Sequence, residues 1–155
     1  MTQKRRLPNG RVVVLDIIEH PGAVLIIPFL SKQKMIFLYQ YRPAVKKYLF
    51  ELPAGTINKS EKPLDCARRE LVEETNFRAG KMTLLGKIYP VPGYSTEVIF
   101  IFKAEHLSPC DGVKDHEEII KTQVFPKSRI KKMFSQGKIV DAKTISALAF
   151  CRWLP

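Results

Sequence analysis

The 155-residue chain has no long hydrophobic run. Its longest apolar stretch, Ala23–Leu30, is interrupted by Pro28 and falls far short of the roughly 20 residues of a membrane-spanning helix. Cysteine is scarce: Cys66, Cys110 and Cys151 are odd in number, widely spaced and without a Cys-x-x-Cys pair, so neither a disulfide framework nor a zinc knuckle is encoded. The expected setting is a reducing cytoplasm. A continuous apolar segment is also missing behind the basic start Met1-Thr2-Gln3-Lys4-Arg5-Arg6, which argues against a secretory leader. No repeat or linker divides the sequence, and the length suits a single domain over residues 1–155. A chain of this size buries about two-thirds of its unfolded surface and needs no covalent staples.

Acidic residues are few overall and unevenly placed. The chain has 26 Lys/Arg against 15 Asp/Glu, a net charge of +11. Residues 1–50 and 121–155 carry 17 basic and 3 acidic side chains, whereas residues 51–120 carry 9 and 12. Two accounts fit this segregation. One is a basic, soluble surface with a solvated acidic helix. The other is an acidic cation site inside a basic shell that attracts an anionic ligand.

Pattern and turn chemistry predict strands over Arg11–Ile18, Ala23–Phe29, Met35–Tyr41, Leu84–Ile88 and Glu97–Phe102. Leu64, Ala67 and Leu71 share one helical face behind Ser60 as the expected N-cap. Thr144–Trp153 carries Ile145, Leu148, Ala149 and Trp153 at helical spacing, and a short basic helix is expected over Lys127–Phe134. Strands around two or three helices without regular βαβ alternation indicate an α+β or layered α/β/α fold.

At about 100° per residue, Glu73 and Glu74 fall on either side of Glu70, so the three carboxylates share one helix face. Glu70 and Glu74 form an i,i+4 like-charge pair, which costs a few tenths of a kcal/mol in an isolated helix. Folding does not require such a cluster. It is either a solvated face balanced by Arg68 and Arg69 or a site for a hard divalent cation, since Mg²⁺ takes carboxylate, phosphate and water oxygens.

Gly55, then five residues, Glu61, seven residues and Arg69-Glu70-Leu71-Val72-Glu73-Glu74-Thr75-Asn76-Phe77 resembles the Nudix box, GX5EX7REUXEEXGU with U a bulky apolar residue. The match spans residues 55–77 and departs at one defining position, where Asn76 replaces Gly. Asn is the usual substitute for Gly in the left-handed conformation common after a helix. The flanks Gln40-Tyr41-Arg42-Pro43, Phe50–Gly55, Tyr89–Glu97 and Gly137–Thr144 resemble the ADP-ribose pyrophosphatase branch, whose marker is a proline at the position of Pro92.

The resemblance implies a Nudix α/β/α sandwich with a mixed central sheet. It also implies hydrolysis of the pyrophosphate bond of ADP-ribose or a related nucleoside diphosphate sugar, giving a nucleoside monophosphate and a sugar phosphate. Mg²⁺ would be the cofactor, with Mn²⁺ able to substitute. Glu70 and Glu74 would be its main ligands, Glu73 would assist, and the backbone carbonyl of Ala54 would complete the shell. Arg69 would orient a carboxylate and Glu61 would tie loop to helix. Arg42, Glu51 and Glu97 would line the substrate pocket together with the Pro92 region. Taken alone, Pro92-Gly93 reads as a turn and Arg42 as an edge-strand charge.

Water activation in this branch falls to a loop carboxylate. Here the loop reads Asp115-His116-Glu117-Glu118, with Glu118 the first choice as base, Glu117 the second and His116 a further candidate. A homodimer is the implied assembly and no membrane partner is expected. Two other functions are open: an RNA 5′-end pyrophosphohydrolase, suggested by the basic flanks, and a Nudix-fold binding module without catalysis.

Overall fold

The computed structural model describes residues 1–111 and 120–154. The elements run β1 (Thr2–Arg6), β2 (Val12–Asp16), β3 (Ala23–Ser31), β4 (Lys34–Arg42), β5 (Lys47–Glu51), β6 (Ala54–Thr56), α1 (Pro63–Thr75), β7 (Phe77–Ile88), β8 (Ile99–Pro109), β9 (Ile120–Pro126), α2 (Lys127–Ser135) and α3 (Ala142–Phe150). Seven strands form a mixed sheet in the order β5-β4-β3-β8-β7, with β6 added against β3 and β9 against β4. Among the described strands of this sheet, β3 and β8 pair in parallel, from Ala23↔Ile99 to Pro28↔Ala104, and the other pairings are antiparallel.

The β3 side chains explain the layering. Successive strand residues face opposite sides, and both sides of β3 are covered. Leu25 and Ile27 pack with Met35, Phe37, Ile101, Ile130 and Met133 of α2, and Ala147 and Leu148 of α3. Val24 and Ile26 pack with Phe102, Ala104, and Cys66, Ala67 and Leu71 of α1. That is why Ala23–Ile27 reads as a continuous apolar run rather than an alternation. The outcome is an α/β/α sandwich with α1 on one face and α2 and α3 on the other. Leu71, fully buried, anchors α1 to the sheet; its truncation to Ala should cost about 2–5 kcal/mol.

Helix boundaries differ from expectation at α1 and α3. Ser60 is not the N-cap: it lies in the turn Asn58–Glu61 with φ +66°, and α1 begins two residues later, with Lys62 as cap and Pro63 in the first turn. Proline fits there because its missing N–H would have no intrahelical partner. Asn76 closes the helix in the left-handed conformation (φ 58°, ψ 34°), its N–H donating to the Val72 carbonyl at 2.9 Å. The cost is a buried Asn76 Oδ1 without a partner among the described residues, which a glycine would not carry. α3 starts two residues before the predicted Thr144, because the Asp141 carboxylate accepts from the Thr144 N–H at 2.9 Å.

Strands β1, β5, β6 and β9 were not among the predicted ones. β1 and β2 form a separate hairpin outside the main sheet. Val12, Val14 and Leu15 remain exposed on it.

Candidate active site

The chain brings two kinds of charge to one cleft of about 390 Å³. α1 supplies Arg69, Glu70, Glu73 and Glu74; β6 supplies Ala54, Gly55 and Thr56; the end of β4 supplies Arg42, and the first turn of α3 supplies Lys143. Glu97, just before β8, and Thr122 of β9 complete the wall relevant to chemistry.

Arg69 organises the acidic side. Its Nε and Nη2 donate to the two Glu61 oxygens at 2.9 and 3.0 Å, and its Nη1 donates to Glu70 Oε1 at 2.6 Å and Glu73 Oε2 at 2.9 Å. The rigid guanidinium fork suits such multiple recognition. Bonding to Arg69, more than any other influence, draws the Glu61 pKa down from 4.5 to about 2. Glu61 also accepts from the Asn58 N–H at 2.9 Å, which fixes the loop between β6 and α1. The neighbouring Cys66 thiol, buried in the core beneath α1, is pushed up to about 12, first by burial and then by Glu61.

Glu74, 8% exposed, accepts from the Ala54 N–H at 2.9 Å. Glu70 lies so close to β6 that a Cβ on Gly55 would sit 1.9 Å from its Oε1. The glycine therefore creates the recess in which a carboxylate rests against the strand.

These donors suit a hard divalent cation. Three glutamates of α1 line the cleft, Arg69 holds two of them in place, and the Gly55 recess seats Glu70. Among the described residues, no three His, Cys, Asp or Glu side chains are already drawn together as a cage. Mg²⁺ does not need one, because it is commonly held by one or two carboxylates with substrate phosphates and waters.

The basic side is arranged differently. Glu51 is 1% exposed and receives Arg42 Nε at 2.8 Å, Arg42 Nη2 at 2.7 Å and the Lys143 ammonium. Lys143 also donates to Asp141 Oδ1 at 2.8 Å. Burial raises the Glu51 pKa, but the bonds and charges of Arg42 and Lys143 outweigh it and the carboxyl lies below its usual range. Behind this cluster the Leu52 N–H donates to the buried Thr144 hydroxyl at 3.0 Å, joining the β5–β6 link to α3.

The expected site residues thus fall into groups. Ala54, Arg69, Glu70, Glu73, Glu74, Arg42 and Glu97 all border the cleft. Glu51 sits behind Arg42 as its buried anchor rather than on the cleft wall. Pro92 lies in the exposed turn before Ser95 and does not border the cleft. Glu117, Glu118 and His116 lie outside the described residues. Sequence reasoning missed Lys143, Asp141 and Thr122. Lys143 had a signal: it is the sole charged residue of the apolar helix α3.

An acidic helix face set against a pair of cations is the kind of site that handles a phosphoanhydride. The chain belongs to the NUDIX domain family, whose model matches residues 19–148. It is 33% identical to an ADP-ribose pyrophosphatase of Bacillus subtilis over 93% of this chain and 79% of that protein. It is 32% identical to a methanol dehydrogenase activator of Bacillus methanolicus with the same coverage. Among solved structures, an ADP compounds hydrolase superposes with a TM-score of 0.82 at 26% identity, over 97% of this chain and 82% of that one.

Proposed function

We propose that this protein hydrolyses the pyrophosphate bond of ADP-ribose or a related nucleoside diphosphate sugar, yielding a nucleoside monophosphate and a sugar phosphate. One observation carries the reading: a single cleft joins the Glu70/Glu73/Glu74 helix face to the cations Arg42 and Lys143. The first suits a divalent cation and the second the negative charge of the diphosphate. The name of the Bacillus subtilis relative supports this substrate class.

Glu70 and Glu74, with Glu73 and the Ala54 backbone beside them, would hold Mg²⁺, with Mn²⁺ able to substitute. The bound cation would neutralise charge developing on the phosphoryl oxygens. Arg69 keeps the carboxylates from spreading apart under their mutual repulsion. Arg42 binds the diphosphate, and its fixed orientation on Glu51 means that little entropy is lost when substrate arrives. Glu97 borders the pocket where the sugar nucleotide extends, and the Pro92 turn shapes the approach to it. Glu118, with Glu117 as second choice, takes the proton from the attacking water.

The setting is cytoplasmic, in keeping with three free cysteines. No helix among the described residues is long and apolar enough to cross a membrane. The working unit is a homodimer, and the β1–β2 hairpin supports it. Two strands alone are marginally stable in water, and Val12 and Val14 are 55% and 61% exposed.

The test is turnover with Mg²⁺, Mn²⁺ or chelator over ADP-ribose, other nucleoside diphosphate sugars and 5′-triphosphate RNA. Metal-dependent release of a nucleoside monophosphate from a nucleoside diphosphate sugar is the expected result. Pyrophosphate release from RNA with no sugar nucleotide turnover would overturn the reading.

A further inference from the structure

We propose that His20 is a positioning residue for Glu97: one imidazole nitrogen is fixed at the entry to β3, and the other holds the Glu97 carboxylate at the wall of the cleft. The inference deepens the substrate reading above and rests on it for what Glu97 meets there. His20 lies between β2 and β3, and Glu97 lies between β7 and β8. The parallel pairing of β3 with β8, which starts at Ala23↔Ile99, brings these two distant links side by side.

Backbone bonds fix both links before their side chains are considered. The Ala23 N–H donates to the Val98 carbonyl at 2.9 Å, and the Thr96 N–H donates to the Ile18 carbonyl at 3.0 Å. The His20 N–H donates to the Thr96 hydroxyl at 2.9 Å, and that hydroxyl donates back to the His20 carbonyl at 3.4 Å.

Local chemistry then selects the tautomer of the ring. The Gly22 N–H donates to His20 Nδ1 at 3.1 Å. A nitrogen that accepts carries no proton, so the neutral ring bears its proton on Nε2. Gly22 permits this turn with φ +106°, a conformation that a side chain would strain. His20 Nε2 lies 3.9 Å from Glu97 Oε1, so a small side-chain rotation brings its N–H within hydrogen-bond range of the carboxylate.

Glu97 needs such a restraint. It borders the same cleft as Glu70, Glu73 and Glu74, whose negative charge drives a further carboxylate toward solvent. Its N–H donates to the Ser95 hydroxyl at 3.1 Å, but that bond leaves the side chain free to turn. The side chain is 25% exposed, so burial does not hold it either. Among the described residues, the imidazole is the donor that faces it. One carboxylate oxygen directed at the imidazole leaves the other to accept from a hydroxyl of the sugar nucleotide.

The experiment separates the two nitrogens. Asparagine can place its carbonyl oxygen where Nδ1 accepts from Gly22, but it does not reach Glu97. Glutamine reaches the Nε2 position with an amide N–H and gives up the Nδ1 contact. His20→Asn should keep Tm near wild type and raise KM for ADP-ribose about three- to tenfold at saturating Mg²⁺, the worth of one hydrogen bond. kcat should change less. His20→Gln should lower Tm yet recover most of that KM. On a Glu97→Ala background, His20→Asn should add little to KM, because the two residues act as a unit. An imidazole that only folded the loop would reverse the order of the two variants and show no such coupling.

Nitrogen-15 NMR of the imidazoles in mildly alkaline buffer reads the pair without substrate. His20, one of three histidines, is assigned by its loss in the glutamine variant. It should carry its proton on Nε2, and Glu97→Ala should shift that signal. A proton on Nδ1, or His20 signals indifferent to Glu97→Ala, would overturn the proposal. So would wild-type KM in folded His20→Asn, equal KM losses in the two variants, or additive effects with Glu97→Ala. If the NMR signature is present but the wild type turns over no nucleoside diphosphate sugar, the substrate reading fails and the His20–Glu97 pair stands. Metal-dependent ADP-ribose turnover without the signature would leave that reading intact and remove His20 from it.

Discussion

The two sides of the cleft handle charge in opposite ways. On the β4–α3 side, Glu51 and Asp141 face Arg42 and Lys143, so two carboxylates meet two cations. On the α1 side one guanidinium, Arg69, is divided among Glu61, Glu70 and Glu73. The first arrangement is electrically complete and its central carboxylate is buried. The second is rich in negative charge and opens to the cleft. Neutralising a carboxylate should therefore have opposite consequences on the two sides, fold loss on one and activity loss on the other.

The largest effect belongs to Glu74→Gln. The amide oxygen can keep the Ala54 N–H bond, and removing a charge from the i,i+4 pair with Glu70 relieves repulsion. Stability without metal should stay level or rise slightly. Turnover should fall about a thousandfold or more, since a bound cation supplies several kcal/mol to the transition state. Kinetics and thermal scans with and without Mg²⁺ check both halves. Wild-type turnover at low-millimolar Mg²⁺ would remove Glu74 from the ligand set.

Glu51→Gln is the counterpart. It leaves Arg42 and Lys143 adjacent without their shared anion. We expect a loss of about 2–3 kcal/mol, below the usual cost of breaking a buried pair because the Arg42 side chain is 35% exposed. For a domain of this size that is roughly 6–9 °C in Tm. A glutamine variant as stable as wild type would dissolve the contrast between the two sides.

The same contrast marks what the sequence could convey. The acidic side was legible because its parts lie within 23 residues and α1 places Glu70, Glu73 and Glu74 by periodicity. The roles of Arg69 and Glu61 came from the resemblance to the Nudix box, and the structure gives Arg69 its three carboxylate partners. The basic side is non-local: Glu51 and Lys143 are 92 positions apart and meet only after α3 packs on the sheet. Sequence reading accordingly placed Glu51 on the pocket wall and passed over Lys143. The strands behaved alike. β3, β4 and parts of β2, β7 and β8 carry enough apolar or β-branched residues to be recognised. β1 is mostly charged, β6 has three residues, and β5 and β9 depend on pairing with β4.

Gly55→Ala sharpens the comparison without altering any charge. Gly55 has no positive φ, so alanine fits the backbone, but its Cβ must displace the Glu70 carboxylate. That carboxylate is the end of a flexible side chain and can move aside, so Tm should barely change. Turnover should fall about ten- to a hundredfold, the scale expected when a functional group shifts by about 1 Å. A lowered apparent Mg²⁺ affinity should accompany it. Unchanged kinetics would mean that the Glu70 position against β6 is incidental.

The smallest effect tests whether Arg69 is held mainly through Glu61. The folded-state pKa of Glu61 is about 2 against an ordinary 4.5, so the folded protein prefers the ionised form. The stability this contributes is fully present above about pH 4.5 and disappears as pH falls through about 2. Wild type should therefore exceed Glu61→Gln by about 1 kcal/mol or less near neutral pH, because the pair is partly screened by solvent. The gap should narrow across the acidic window. Denaturant unfolding of both proteins from pH 7 to pH 2 measures it, and the subtraction removes carboxylates common to both. A gap that stayed constant down to pH 2 would assign the benefit of Glu61 to packing of the β6–α1 loop instead of its ion pair. A gap that widened on acidification would reverse the sign and mean that the folded protein favours the protonated Glu61 carboxyl.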